Sequence, residues 1–115
     1  MDIDELKKSK TFCVYPWFNL NNNTNGSLKL CCAIFKNDHI KTTDGKDYKI
    51  NKDELDTVLN SDYMKSVRKK MGKGKFVSEC VGCYNLENSG IESTRQTAMK
   101  DYLNDNGHFV WMRDN

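Results

Sequence analysis

Five cysteines fall in two places: Cys13 and the adjacent pair Cys31-Cys32 in the first third of the chain, and Cys80-Val-Gly-Cys83 in the last. Thiolates are soft ligands, and three or four that converge select zinc or an iron–sulfur cluster. Two residues between the thiols of Cys80 and Cys83 let both reach one centre from a single turn. An odd number of cysteines disfavours a closed disulfide framework. The expectation is one metal centre that staples the two halves of the chain. The plain alternative is a set of buried free thiols, which pack as small apolar groups.

Length and composition bound the rest. At 115 residues, 37% hydrophobic and 30% charged, the chain is one small domain with a thin core. A domain of this size gains from a metal. A net charge of +2 is too balanced to imply a nucleic-acid partner. No apolar run reaches membrane length, and the N-terminus lacks the apolar segment of a signal peptide. A cytoplasmic protein with reduced thiols is expected. No Ser-His-Asp set, P-loop or paired-carboxylate pattern stands out, so no catalytic set is assigned; His39 and His108 read as surface residues.

The elements that must position the thiols follow from periodicity. Residues 1–10 read as a frayed end or a helical turn. Phe12, Val14, Phe18 and Leu20 occupy alternate positions, so 12–20 reads as a strand with Pro16 at an edge or bulge. Asn21 to Gly26 is turn chemistry, and Ser27 to Ala33 a second strand, in which Cys31 and Cys32 face opposite ways. A tight turn at Asn25-Gly26 would set Leu20 opposite Cys31 and leave Cys13 about 23 Å along the ladder. A shared centre therefore requires a wide loop over most of 21–26 and a bend near Pro16. Residues 34–51 read as an exposed loop, with a short strand at Tyr48-Lys49-Ile50. Asn51 or Asp53 caps a short helix with Leu55, Val58 and Leu59. Ser61 caps a second, Asp62 to Met71, closed by Gly72. Ser89-Gly-Ile-Glu92 matches a capping box for a last helix from about 90 to 104, with Ile91, Thr94, Ala98 and Tyr102 on one face. Phe109 to Met112 read as the start of something that continues. The fold expected is α+β: an N-terminal β-hairpin and about three helical segments, stapled by one metal centre. Residues 1–11 form an extension, 12–104 the metal- or cluster-binding domain and 105–115 a tail.

Several motifs occur in a specific order. Cys13, twelve residues, Gly26, four residues and Cys31 come first, with Cys13-x-x-Pro16-Trp17 inside them. Gly26-x-Leu28-x-x-Cys31-Cys32 overlaps these, and Leu59-Asn-Ser-Asp-Tyr-Met-Lys-Ser-Val-Arg-Lys-Lys-Met71 follows. Then comes Cys80-x-x-Cys83-x-x-x-Glu87-x-x-Gly90-x-x-Ser93-x-Arg95. From Phe12 to Arg95 the chain resembles the SPASM and twitch domains of radical S-adenosylmethionine (SAM) proteins. The resemblance implies one auxiliary [4Fe–4S] cluster on Cys13, Cys31, Cys80 and Cys83, with Cys32 as the alternative to Cys31. It also implies electron transfer or substrate positioning for a radical SAM core domain or protein, whose substrate would be a peptide or small molecule. The Cys-x-x-x-Cys-x-x-Cys of that core is absent here. The alternative reading is a zinc-stapled interaction domain that binds a protein or nucleic acid. Pro16-Trp17 would shield a cluster or simply fill the core. Glu87 and Arg95 would pair around the last helix start or stand as solvated charges. Lys65, Arg68, Lys69, Lys70, Lys73 and Lys75 read as a solvated helix face, or else a phosphate or acidic-partner site.

Overall fold

The computed structural model describes residues 3–31 and 39–102. Cys32, the far end of the expected second strand, His108 and the 105–115 tail lie outside the described residues. Among those described, a two-stranded antiparallel hairpin and six helices make a compact α+β domain. The helices outnumber the three expected, because two precede the hairpin and a third, Val81–Asn88, was not foreseen.

Helix α1 (Ile3–Lys8) buries Leu6 and carries acids in its first turn and lysines in its last. The hydroxyl of Ser9 then accepts from the backbone amides of Thr11 and Phe12 and turns the chain inward. Phe12, Cys13 and Val14 are all buried in succession, which no half-buried strand can do. The expected strand over 12–20 is instead this inward loop and a single helical turn, α2 (Tyr15–Phe18), with Pro16 in the first turn where its missing N–H costs nothing.

Strands β1 (Asn21–Asn22) and β2 (Leu28–Lys29) pair Asn21 with Lys29 and Asn22 with Leu28. The loop is therefore the wide one, residues 23–27, closed by Asn23 N–H to Ser27 O and Gly26 N–H to Asn23 O, with Gly26 at φ 88°. Strand β2 ends at Lys29, and Leu30 and Cys31 are both buried, so the alternation expected to separate Cys31 from Cys32 stops before it reaches them. Residues 39–53 lie against the hairpin through an isolated bridge of Ser27 with Lys49 and the Ile40 N–H to Leu28 O bond, and fold back on themselves through a bridge of Lys41 with Asp47. The expected strand at 48–50 is thus a single bridge, and Ile40 is a fully buried core residue within what reads as an exposed loop.

Helix α3 (Leu55–Leu59) buries Val58 and Leu59. Neither Asn51 nor Asp53 caps it; Asp53 accepts from the Lys49 amide instead. Ser61 caps α4 (Asp62–Gly72) as expected, its hydroxyl accepting from the Met64 amide. Met64, Val67 and Met71 form the buried stripe. The left-handed residue that ends α4 is Gly74, at φ 71°, not Gly72. Gly74 N–H to Met71 O and Lys75 N–H to Lys70 O complete a Schellman motif. A 3₁₀ turn (Ser78–Cys80) leads into α5 (Val81–Asn88), the unforeseen helix. It ends the same way: Gly90 at φ 81°, with Gly90 N–H to Glu87 O and Ile91 N–H to Leu86 O. Ser89-Gly90 is thus the end of α5, not a helix start. The capping box of α6 (Thr94–Tyr102) is Ser93 with Gln96, each side chain accepting from the other's amide. Ala98 is buried, but Ile91 and Tyr102, expected on the same face, are exposed. No helix of the described residues is long and apolar enough to cross a membrane.

Candidate metal centre

Four of the five cysteines lie within the described residues, all of them free of disulfides. Cys13 sits on the inward loop, Cys31 just past β2, Cys80 at the start of α5 and Cys83 in its first turn. Cys13, Cys31 and Cys83 are buried, and Cys80 is half-buried, so the cluster has one accessible edge. Burial pushes the Cys13 thiol up to about 12; the backbone hydrogen bond from Tyr15 opposes this, the nearby Cys31 and Cys83 add to it, and Arg95 draws it down. Burial raises Cys80 as well, reinforced by Cys13, Cys31, Cys83 and Glu79. Cys13 and Cys80 therefore each lie within electrostatic range of Cys31 and Cys83. Among the described residues no three His, Cys, Asp or Glu side chains form a ready-made cage for a single metal ion.

The Cys13 loop is held from outside by three side chains. Arg95 Nη1 donates to Phe12 O at 2.8 Å and to Ser9 O at 3.1 Å. Tyr84, next to Cys83, donates its hydroxyl to Thr11 O at 3.0 Å. Arg68 Nη1 donates to Pro16 O at 3.0 Å. Helices α4, α5 and α6 thus each fix a carbonyl on one side or the other of Cys13. Arg95 also grips Glu87 with two bonds, Nη2 to Oε1 at 2.6 Å and Nε to Oε2 at 2.9 Å, and Ser93 adds a third to that carboxylate. The side chains are only 7% and 12% exposed, so this is a buried pair and not two solvated charges. Burial works against ionisation of Glu87, but the hydrogen bonds and charge of Arg95 outweigh it and hold the carboxyl below its ordinary value. At Glu79 burial is likewise outweighed, by the hydroxyls of Tyr63 and Ser78.

Arg68 and Tyr84 escaped the sequence reading. Arg68 looks like one more cation of a basic run, yet it lies four residues after Met64 and three before Met71, on the buried stripe of α4, and is itself buried. That register is the signal. The other cations of the run, Lys65, Lys69, Lys70, Lys73 and Lys75, are exposed as expected.

Four thiolates are, by their chemistry, a sufficient donor set for a zinc ion or an iron–sulfur cluster. A CxxC at a helix start is also the geometry of redox dithiols, but those depend on depressed thiol pKa values. Here burial drives Cys13 and Cys80 the other way. A cation among the thiols reverses that balance, since a coordinating thiol loses its proton outright. Trp17 supplies a second observation. Its ring packs against Phe12 with centroids 4.9 Å apart, and its Nε1–H is buried without a hydrogen-bond partner among the described residues. Such an orphan costs about 1–3 kcal/mol, and a sulfur of a centre bound beside Cys13 is a chemically suitable acceptor.

A further cluster corrects the expectation for His39. Ser27 Oγ lies 3.5 Å from His39 Nε2, and His39 Nδ1 lies 3.1 Å from Asp47 Oδ2. The residue types and order are those of a hydrolytic triad. Ser27, however, is fully buried, donates its hydroxyl to Asn25 Oδ1 at 2.7 Å and accepts from Asn23 Nδ2. Its proton is committed elsewhere and no substrate can reach it. The cluster ties the 23–27 loop to residues 39–47, and Asn23 and Asn25 take part in it through Ser27.

Compared with known proteins, the chain matches no family model, no curated protein and no solved structure.

Proposed function

We propose that this chain is an iron–sulfur module in which Cys13, Cys31, Cys80 and Cys83 hold one [4Fe–4S] cluster that serves a radical SAM enzyme. One observation supports the reading: free thiols from three separate stretches neighbour one another, Cys13 feeling the charges of Cys31 and Cys83, and Cys80 those of Cys13, Cys31 and Cys83. Iron–sulfur is preferred to zinc because the ordered motifs resemble auxiliary-cluster domains; the thiols by themselves suit either. When bound, such a cluster passes single electrons. The protein's own residues supply its surroundings. Phe12, Val14 and Trp17 keep water from the Cys13 side, and such exclusion tunes a cluster's potential. Half-buried Cys80 provides the edge at which a partner exchanges electrons. The radical core would come from another domain or protein, which would also bind the substrate.

Anaerobic purification followed by metal and sulfide analysis tests the reading. A brown protein with about four irons per chain, the content of one cubane cluster, supports it. A colourless protein that takes up only zinc after reconstitution with both metals sinks it, in favour of a zinc-stapled interaction domain.

A further inference from the structure

Away from the thiols, a groove of about 880 Å³ runs between the segment that follows α1 and the α5–α6 corner. That is within the range of a specific ligand site. One lip carries Lys7, Lys8 and Lys10, all exposed and none in an ion pair with a described residue. The acids of the opposite wall are already engaged: Glu87 with Arg95 and Ser93, and Glu92 with Lys100. Three positive charges are therefore left uncompensated in the groove. Two large apolar side chains also line it, Phe76 at 58% and Ile91 at 55% exposed, and the Phe76 ring leans on Tyr84 with centroids 5.1 Å apart. Exposed apolar side chains that share a groove with unpaired cations mark an interaction surface more than a solvated one.

We propose that this groove binds an acidic peptide segment of a partner protein, its carboxylates on Lys7, Lys8 and Lys10 and an apolar side chain against Phe76 and Ile91. Three cations within four residues of chain suit a ligand with several carboxylates in series. A metabolite with a single anionic group would leave most of them unused. A nucleic-acid strand fits less well. Single strands are held by several aromatic side chains on which successive bases stack, and this groove exposes one, Phe76, beside the aliphatic Ile91. The one guanidinium in this groove, Arg95, is consumed by Glu87 and the carbonyls of Ser9 and Phe12. The proposal does not depend on which metal the thiols hold.

The test is fluorescence anisotropy of the full chain, with its metal content recorded, against a labelled peptide of Asp and Glu interrupted by Leu and Phe. Saturable binding that weakens with added salt is expected. The variant Lys7→Glu/Lys8→Glu/Lys10→Glu should weaken it about tenfold or more, from three small surface attractions turned to repulsions. Phe76→Ser should weaken it several-fold, about the effect of losing one apolar contact. Lys65→Glu/Lys69→Glu/Lys73→Glu, on the exposed face and at the C-cap of α4, should leave affinity within about twofold, since distant rim charges act weakly. Absence of saturable binding overturns the proposal, as does equal loss in both lysine variants. Tighter binding of a polyuridine strand than of the peptide overturns it in favour of nucleic acid. Because the measurement reads peptide affinity and not metal, its failure leaves the cluster assignment standing.

Discussion

Arg95→Met is the most informative single perturbation of the fold around the thiols. The guanidinium makes four bonds of 3.1 Å or less: two to the Glu87 carboxylate and one each to Ser9 O and Phe12 O. A methionine fills much of the space and satisfies none of them. Glu87, 12% exposed at its side chain, is then left as a buried carboxylate without its cation. Breaking a buried pair from one side costs about 3–5 kcal/mol. Small domains have only about 5–15 kcal/mol in total, so the melting temperature should fall by about 10–20 °C. Arg95→Lys should recover part of the loss, because an ammonium keeps the charge but cannot serve Glu87 and two carbonyls at once. The double variant Arg95→Met/Glu87→Leu should recover more, because no charge is stranded. Thermal melts followed by circular dichroism, arranged as a double-mutant cycle, give the coupling directly. Single variants that cost less than about 1 kcal/mol each, with no coupling, would refute the argument that this pair clamps the Cys13 loop.

Further expectations come from individual contacts. Glu87 and Glu79 both have carboxyls held below their ordinary value of 4.5 in the folded chain. The stability they contribute is present above that value and is lost as pH falls through it toward their lower folded values. Melting temperature should therefore drop with acid below about pH 5, and Glu87→Gln should flatten part of that drop; an unchanged profile contradicts the assignment. Trp17→Phe keeps a ring beside Phe12 but removes the orphan N–H. It should stabilise the metal-free protein by about 1 kcal/mol and destabilise the metal-loaded protein by a similar amount, if a sulfur accepts that hydrogen; the same sign in both states rules this out. Ser93→Ala should cost about 1 kcal/mol as a lost helix cap. Ser89→Ala should be near neutral, and urea titrations that rank them the other way would restore the upstream capping box.

How much was legible in the sequence depended on range. Ser61 before an acidic first turn and an apolar stripe is a local statement, and α4 follows from it. Two consecutive strings, Ser89 to Glu92 and Ser93 to Gln96, both satisfy the capping-box pattern. Gly90 decides between them, because a left-handed glycine ends the helix before it, and that helix, α5, carries no periodicity strong enough to announce itself. Alternation at 12–20 misled for a tertiary reason: the loop is enclosed on both faces, so Cys13 is as buried as its neighbours Phe12 and Val14. The cysteine types and the CxxC were plain. The hairpin argument also anticipated the wide loop, but where it expected a strand bent near Pro16 the chain makes a helical turn. The clamps were out of reach, since Arg68, Tyr84 and Arg95 act on carbonyls 52, 73 and 83 residues away. The pairing of Glu87 with Arg95 was weighed from spacing alone, and only the enclosure of both side chains decides it.

The central claim is that one centre is held by Cys13, Cys31, Cys80 and Cys83. The most direct test is iron and sulfide content of the parent and five single cysteine-to-alanine variants, reconstituted anaerobically side by side. The account predicts about four irons per chain in the parent and in Cys32→Ala, as for one cubane cluster, with severe loss in Cys13→Ala, Cys31→Ala, Cys80→Ala and Cys83→Ala. A Cys31→Ala protein that keeps its iron while Cys32→Ala loses it would exchange those two roles. Five variants that all keep the parent's iron, or all lose it, would contradict a four-thiol centre.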